Sequence, residues 1–192
     1  MKKIGIALII GIFLFSCGKS TKKNTDISEI SEVKDSIADS SEEVEDSILL
    51  GIQKRSALEK EPYRIWFEEG YQNHVLDSSI VAKIDPLLEG VRIKTFMGTW
   101  CEDSQREIPA LFKIIDETNF PEKDLQLITV SREKDTPENL EKGLDINYVP
   151  TIIFYKNEKE LGRFVESARE TLEKDILTIL SGEPYQHTYA VE

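Results

Sequence analysis

The stretch FMGTWCEDSQREIP, residues 96–109, carries an apolar run into a polar, helix-forming one through the pair Trp100–Cys101. Before it, VRIKTFMG (91–98) is rich in branched and aromatic residues and predicts a strand. After it, CEDSQREIPALFKIIDETN (101–119) predicts a helix with Pro109 near its middle. A thiol therefore stands where a strand passes into a helix. Unpaired N–H groups and the positive end of the helix dipole favour a thiolate over a thiol at such a point, so Cys101 is a candidate nucleophile. Three residues on, where a second thiol would complete a dithiol site, stands Ser104.

The flanking segments extend the pattern. DLQLITVS (124–131) predicts a strand and TPENLEKGL (136–144) a short helix. TIIFYKN (151–157) and ELGRFVE (160–166) predict a hairpin closed by a polar turn at Asn157 to Lys159. ETLEKDILTILSG (170–182) predicts an amphipathic helix with Leu172, Ile176, Ile179 and Leu180 inward and Gly182 past its end. Upstream, residues 48–75 predict two helical pieces divided near Pro62, with Tyr63, Trp66, Phe67 and Tyr71 on one face. SSIVAKIDPLLEG (78–90) predicts a third helix, capped by serine and ended at Gly90. The order strand, helix, strand, helix, strand, strand, helix predicts an α/β fold, a mixed central sheet flanked by helices. That domain is expected over residues 91–182, with a helical extension packed on it over 49–90 and a tail over 183–192. From Leu49 on there are about 140 residues, enough for one domain with a real core, and no internal repeat is visible.

The chain opens MKKIGIALIIGIFLFSCGKS, with Lys2 and Lys3 ahead of an apolar run from Ile4 to Phe15. That run of about 12 residues is shorter than the roughly 20 needed to span a bilayer, so residues 1–17 read as a signal peptide. Leu14, Phe15, Ser16 and Cys17 resemble the bacterial lipoprotein signal, whose cysteine becomes the lipidated first residue. Ordinary secretion and an uncleaved anchor are the alternatives. Residues 18–48 are expected to form an acidic, disordered tether, since NTDISEISEVKDSIADSSEEVEDSI (24–48) holds nine acids against the single base Lys34. The spacing of Ile27, Ile30, Val33 and Ile37 also allows a weak amphipathic helix that binds a partner. From Leu49 onward 27 acids face 18 bases, which argues against nucleic acid as a partner. The chain holds two cysteines, so with Cys17 lipidated Cys101 is left as a lone thiol and no internal disulfide can form.

Over residues 90–182 the chain resembles the thioredoxin superfamily. The resemblance rests on Trp100 before Cys101, on Pro109 eight residues after it, and on Val149, Pro150 and Thr151 in YVPTIIFYKN, which match the segment bearing the family's cis-proline. The wording around Gly98 to Arg106 and Gly162 to Glu166 is most similar to TlpA-like envelope lipoproteins of Bacteroidetes. This resemblance implies a thioredoxin-like fold, with Cys101 as nucleophile, Trp100 shielding one side, and the backbone of Val149, Pro150 and Thr151 presenting the substrate. Ser104 is expected to hydrogen-bond to the thiolate. Two departures stand out: Thr95 occupies the place of a buried acid common in the family, and Glu102 and Asp103 put negative charge beside the sulfur.

With one thiol, the mixed disulfide formed by attack must be resolved by a sulfur from outside. That suits an isomerase or an externally resolved reductase, and excludes a self-contained dithiol oxidase. The implied partners are protein thiols and disulfides of the cell envelope, and the membrane through lipid on Cys17; the oligomeric state is left open. A redox-inactive module that binds an envelope partner is the alternative. No cofactor is called for. His74 and His187 are far apart and no close Cys/His spacing exists, so no metal site is expected. A monothiol-glutaredoxin iron–sulfur site fits poorly with two acidic middle residues and an export signal. Asp103 and Glu107, four residues apart on a polar helix face, read as solvated surface. No glycine-rich phosphate loop or Ser-His-Asp order stands out.

Overall fold

Branched and aromatic residues form the strands expected of them, and the sheet recruits one more. The computed structural model describes residues 48–190; the signal peptide, Cys17 and nearly all of the tether lie outside the described residues. The strands are β1 (Gly51–Gln53), β2 (Val91–Met97), β3 (Leu125–Thr129), β4 (Thr151–Lys156) and β5 (Lys159–Val165). The helices are α1 (Arg55–Leu58), α2 (Arg64–Asn73), α3 (Ser78–Ile84), α4 (Glu102–Asp116) and α5 (Leu172–Ser181), with short 3-10 segments at Asp85–Leu88 and Glu122–Asp124. The sheet order is β1-β3-β2-β4-β5. Strands β2 and β3 run parallel, with α4 between them in the chain, and the other neighbours are antiparallel. This is a mixed α/β architecture, a five-stranded sheet flanked by helices.

Alternation along the strands divides the core. Ile93, Ile152, Phe154 and Phe164 turn to one face, where they meet Leu111 and Ile114 of α4, Ile80 and Ile84 of α3, and Ile176 and Ile179 of α5. Met97 and Leu127 join Ile108 and Phe112 of α4, Leu58 of α1 and Phe67 of α2 on the same side. Phe96, Ile128 and Ile153 turn to the other face. There the cover is irregular chain, which brings Val130, Ile146 and Val149 with the flanks of Trp100 and Cys101.

Three expectations give way to tertiary or turn chemistry. Gly51–Gln53, expected to be helical, is instead an edge strand pairing Gly51 with Thr129 and Gln53 with Leu127. Pairing there covers an edge of β3 that would otherwise present open backbone groups. The helix expected at 136–144 is a run of turns. Asn139 (φ 55°) and Gly143 (φ 77°) are left-handed, and the Thr136 hydroxyl accepts the Leu140 N–H at 2.8 Å, so local bonds replace a helical ladder. Helix α3 is capped by Asp77 and not by a serine; one Asp77 oxygen accepts the N–H groups of Ser79 (3.0 Å) and Ile80 (3.2 Å).

Other signals act as read. Asn157 and Glu158 both have positive φ (52° and 64°) in the β4–β5 turn, as a two-residue hairpin requires, while Lys159, expected in the turn, opens β5 opposite Lys156. Gly182 ends α5 with φ 72°; Thr171, which was not expected as a cap, caps its start. Pro109 lies inside α4, and Gly70 of α2 packs on it so closely that an added Cβ would sit 3.0 Å from its ring. No helix among the described residues is long and apolar enough to cross a membrane.

Candidate functional site

The site is built at the junction of β2 and α4. Cys101 is extended (φ −97°, ψ 121°) and immediately precedes the helix, so its sulfur lies by the first turn. Its N–H donates to Gly98 O at 3.1 Å, and its carbonyl accepts the Gln105 N–H at 2.9 Å. Gln105 Nε2 donates in turn to Thr99 O at 2.7 Å. These bonds fix the loop that carries the thiol, which is free and partly exposed.

Gly98 and Trp100 pack as a unit. The indole N–H donates to Val130 O at 3.1 Å, tying the ring to the end of β3, and the Arg132 guanidinium lies 5.3 Å from the ring centroid. A Cβ on Gly98 would lie 2.6 Å from Trp100 Cε2, so this position admits no side chain unless the indole moves.

Ser104 makes a bond that the sequence does not announce. It is fully buried, and its Oγ accepts the Gly98 N–H at 3.2 Å. The hydroxyl oxygen thus holds the loop backbone that precedes the thiol. Thr95, beneath this region on β2, is also fully buried, and its Oγ1 has no hydrogen-bond partner among the described residues.

The second half of the site comes from the chain entering β4. The Val149–Pro150 bond is cis, and Cys101 Sγ lies 3.2 Å from Val149 O, a contact an S–H can donate to. The neighbouring carbonyls are occupied within the fold: Thr151 Oγ1 donates to Tyr148 O at 2.7 Å, and the Glu166 N–H to Pro150 O at 2.7 Å. Cys101, Trp100, Ser104 and the segment Val149–Thr151 thus converge in one region.

Charge around the site differs from the expectation at one residue. Asp103 pairs with Arg106 at 2.6 Å, and Glu102 is exposed. Glu107 is not solvated surface: it is 8 % exposed and receives Arg106 Nε at 2.9 Å. Burial raises its pKa against the opposing pull of Arg106. His74 meets the buried Glu173 at 2.8 Å, away from the sulfur. Among the described residues, no group of His, Cys, Asp and Glu could hold a metal ion.

Two neighbours of the site carried no sequence signal. Tyr148 and Tyr189 stack with ring centroids 3.8 Å apart and planes at 10°, and Tyr189 donates its hydroxyl hydrogen to Glu166. A contact between residues so far apart in the chain follows no local periodicity.

No protein-family model matches the chain, and no curated protein does. Among solved structures, it is similar to a protein of unknown function from Pseudomonas aeruginosa, at 19% identity over 62% of this chain and 84% of that one, with a TM-score of 0.47. An HIV epitope scaffold is similar at 19% identity over 64% of this chain and 99% of that one, with a TM-score of 0.38.

Proposed function

We propose that the chain is a thioredoxin-like protein of the cell envelope, akin to TlpA-like lipoproteins, that exchanges thiols and disulfides through Cys101 alone. On this reading Cys17 carries the lipid, the acidic stretch is a tether, and the clients are envelope proteins bearing thiols or disulfides. The observation that carries the proposal is the placement of Cys101 Sγ at the start of α4, 3.2 Å from Val149 O. A nucleophile at a helix N-terminus and an extended backbone segment beside it are the two parts a disulfide exchanger needs.

The step balances as follows. The Cys101 thiolate attacks one sulfur of a client disulfide; a new S–S bond joins enzyme and client, and the other client sulfur leaves as a thiolate. In isomerisation, a second client thiolate attacks the client sulfur of the mixed disulfide and restores Cys101, with no net oxidation. In reduction, an external thiol attacks instead and a second one releases it, so two external thiols are oxidised per client disulfide reduced. Ser104 takes no part in resolution, because its oxygen cannot attack a disulfide and is held by Gly98.

The second reading is a redox-inactive module that binds an envelope partner. The same contact lends it support, since an S–H seated against Val149 O is also a packing group. The test uses the full chain with Cys17→Ser, incubated with a scrambled disulfide protein and no added thiol. Accumulation of a mixed disulfide whose mass maps to Cys101, and its loss in Cys101→Ser, supports exchange. No adduct with the scrambled protein or with bis(2-hydroxyethyl) disulfide rejects exchange in favour of the binding module.

A further inference from the structure

Residues 183–190 do not trail away from α5. The left-handed Gly182 (φ 72°) turns the chain, the Tyr185 hydroxyl donates to Asp175 at 3.0 Å, and Arg169 Nη1 donates to Gln186 O at 3.3 Å. The Tyr185 ring packs against the main core. Thus anchored, the segment delivers Tyr189 onto Tyr148, the residue next to Val149.

Tyr189 is held on two sides of the Val149–Pro150 segment. Its ring lies flat on Tyr148, which precedes that segment, and its hydroxyl bonds to Glu166, whose N–H holds Pro150 O. The phenol pKa is pushed up to about 12, first by the hydrogen bond to Glu166, then by burial and by the charges of Glu166, Tyr148 and Asp103. Asp103 is two residues past Cys101, so Tyr189 stands within electrostatic reach of the thiol-bearing turn. His187 and Tyr189 of this segment wall one side of a groove of about 290 Å³, whose other lining includes Tyr148, Thr151, Arg163 and Val165.

An aromatic ring stacked on an exposed aromatic, along the segment expected to present substrate backbone, occupies a place where a client side chain could lie. Tyr148 and Tyr189 keep 39 % and 38 % of their surfaces exposed, and each gives one ring face to the other. We propose that residues 183–190 are a tethered occupant of the client-binding surface beside Val149, with Tyr189 holding on Tyr148 the position taken by an aromatic side chain adjacent to the client's reacting cysteine. Displacing the tail opens the Tyr148 face to an extended polypeptide, and clients with an aromatic residue at that position compete best. This inference rests on the exchange reading above.

The test compares two short peptide disulfides, one with Phe and one with Gly next to the reacting cysteine. The readout is the ratio of their rates of mixed-disulfide formation with Cys101, in the full chain carrying Cys17→Ser. Tyr189→Ala raises the Phe/Gly ratio by about 2- to 10-fold, the worth of one aromatic stack. Tyr189→Phe keeps the stack, loses the bond to Glu166, and raises the ratio less. Tyr148→Ala removes the preference for Phe. An unchanged ratio in Tyr189→Ala, or a lower one because Tyr189 itself grips the peptide, overturns the proposal. If Cys101 reacts with neither peptide nor with bis(2-hydroxyethyl) disulfide, the exchange reading fails by itself. The tail is then tested by NMR titration with the reduced peptides: tighter binding of the Phe peptide to Tyr189→Ala supports the occupant, and equal binding overturns it.

Discussion

Ser104 Oγ accepts the Gly98 N–H at 3.2 Å from a fully buried position, so the serine one turn into α4 secures the loop that aims the thiol. A dithiol site would need a sulfur at that place; here a buried hydroxyl takes it.

Ser104→Ala is therefore a stability change before it is a chemical one. It leaves the Gly98 N–H without its partner, which costs about 1–3 kcal/mol. Urea unfolding is expected to show that loss, while Cys101 still reacts with iodoacetamide. A variant as stable as the parent would mean that the Gly98 N–H finds another acceptor.

Gly98→Ala pushes a methyl to within 2.6 Å of Trp100 Cε2. The indole must leave its bond to Val130 O or the loop must shift, at a cost of about 1–3 kcal/mol. In a Trp66→Phe background, the remaining tryptophan reports the move as a change in fluorescence maximum. An unaltered spectrum and midpoint would contradict the packing described.

Glu107 sets a pH dependence. Burial raises its folded-state pKa above the ordinary 4.5, so over the window from 4.5 to the raised value the native state binds more proton than the unfolded chain. Stability from this residue is fully present below that window and falls as pH rises through it. Glu107→Gln removes the fall, at the loss of the pairing with Arg106. Chemical denaturation of both proteins at pH 4.5 and pH 7 checks this: the parent loses more stability between the two than Glu107→Gln does.

His74→Ala removes the side-chain partner of Glu173, which is 2 % exposed and meets His74 at 2.8 Å, and leaves it only the longer bond from the Asp77 N–H at 3.5 Å. Losing the buried hydrogen bond to His74 costs about 1–3 kcal/mol, whereas replacing both residues with apolar ones costs less. Thermal unfolding of His74→Ala, Glu173→Leu and the double variant His74→Leu/Glu173→Leu measures this, and the double variant is expected to be more stable than His74→Ala. Equal losses in all three would show that the pair does not act as a unit.

Much of the site was legible before the structure because its signals are local. A Trp-Cys pair between a strand pattern and a helix pattern places the thiol at a helix start, and Cys101 stands there. The hairpin was readable from its polar turn, and α5 from its apolar face and terminal glycine. Glu107 was misread because a carboxylate's burial depends on what packs over its helix, and charge spacing along α4 does not report that.

Local spacing alone set the order of β2, α4, β3, β4, β5 and α5, since helical and strand periodicities are properties of neighbouring residues. Everything that depends on distant segments meeting was decided by tertiary structure. The strand at Gly51–Gln53 exists because β3 offers it an edge. The turns at 136–144 persist because left-handed residues and side-chain bonds outcompete a short helix. Val149 O reaches the sulfur of Cys101 across 48 residues only because β2 and β4 pair side by side, and that pairing is a long-range choice no local propensity encodes.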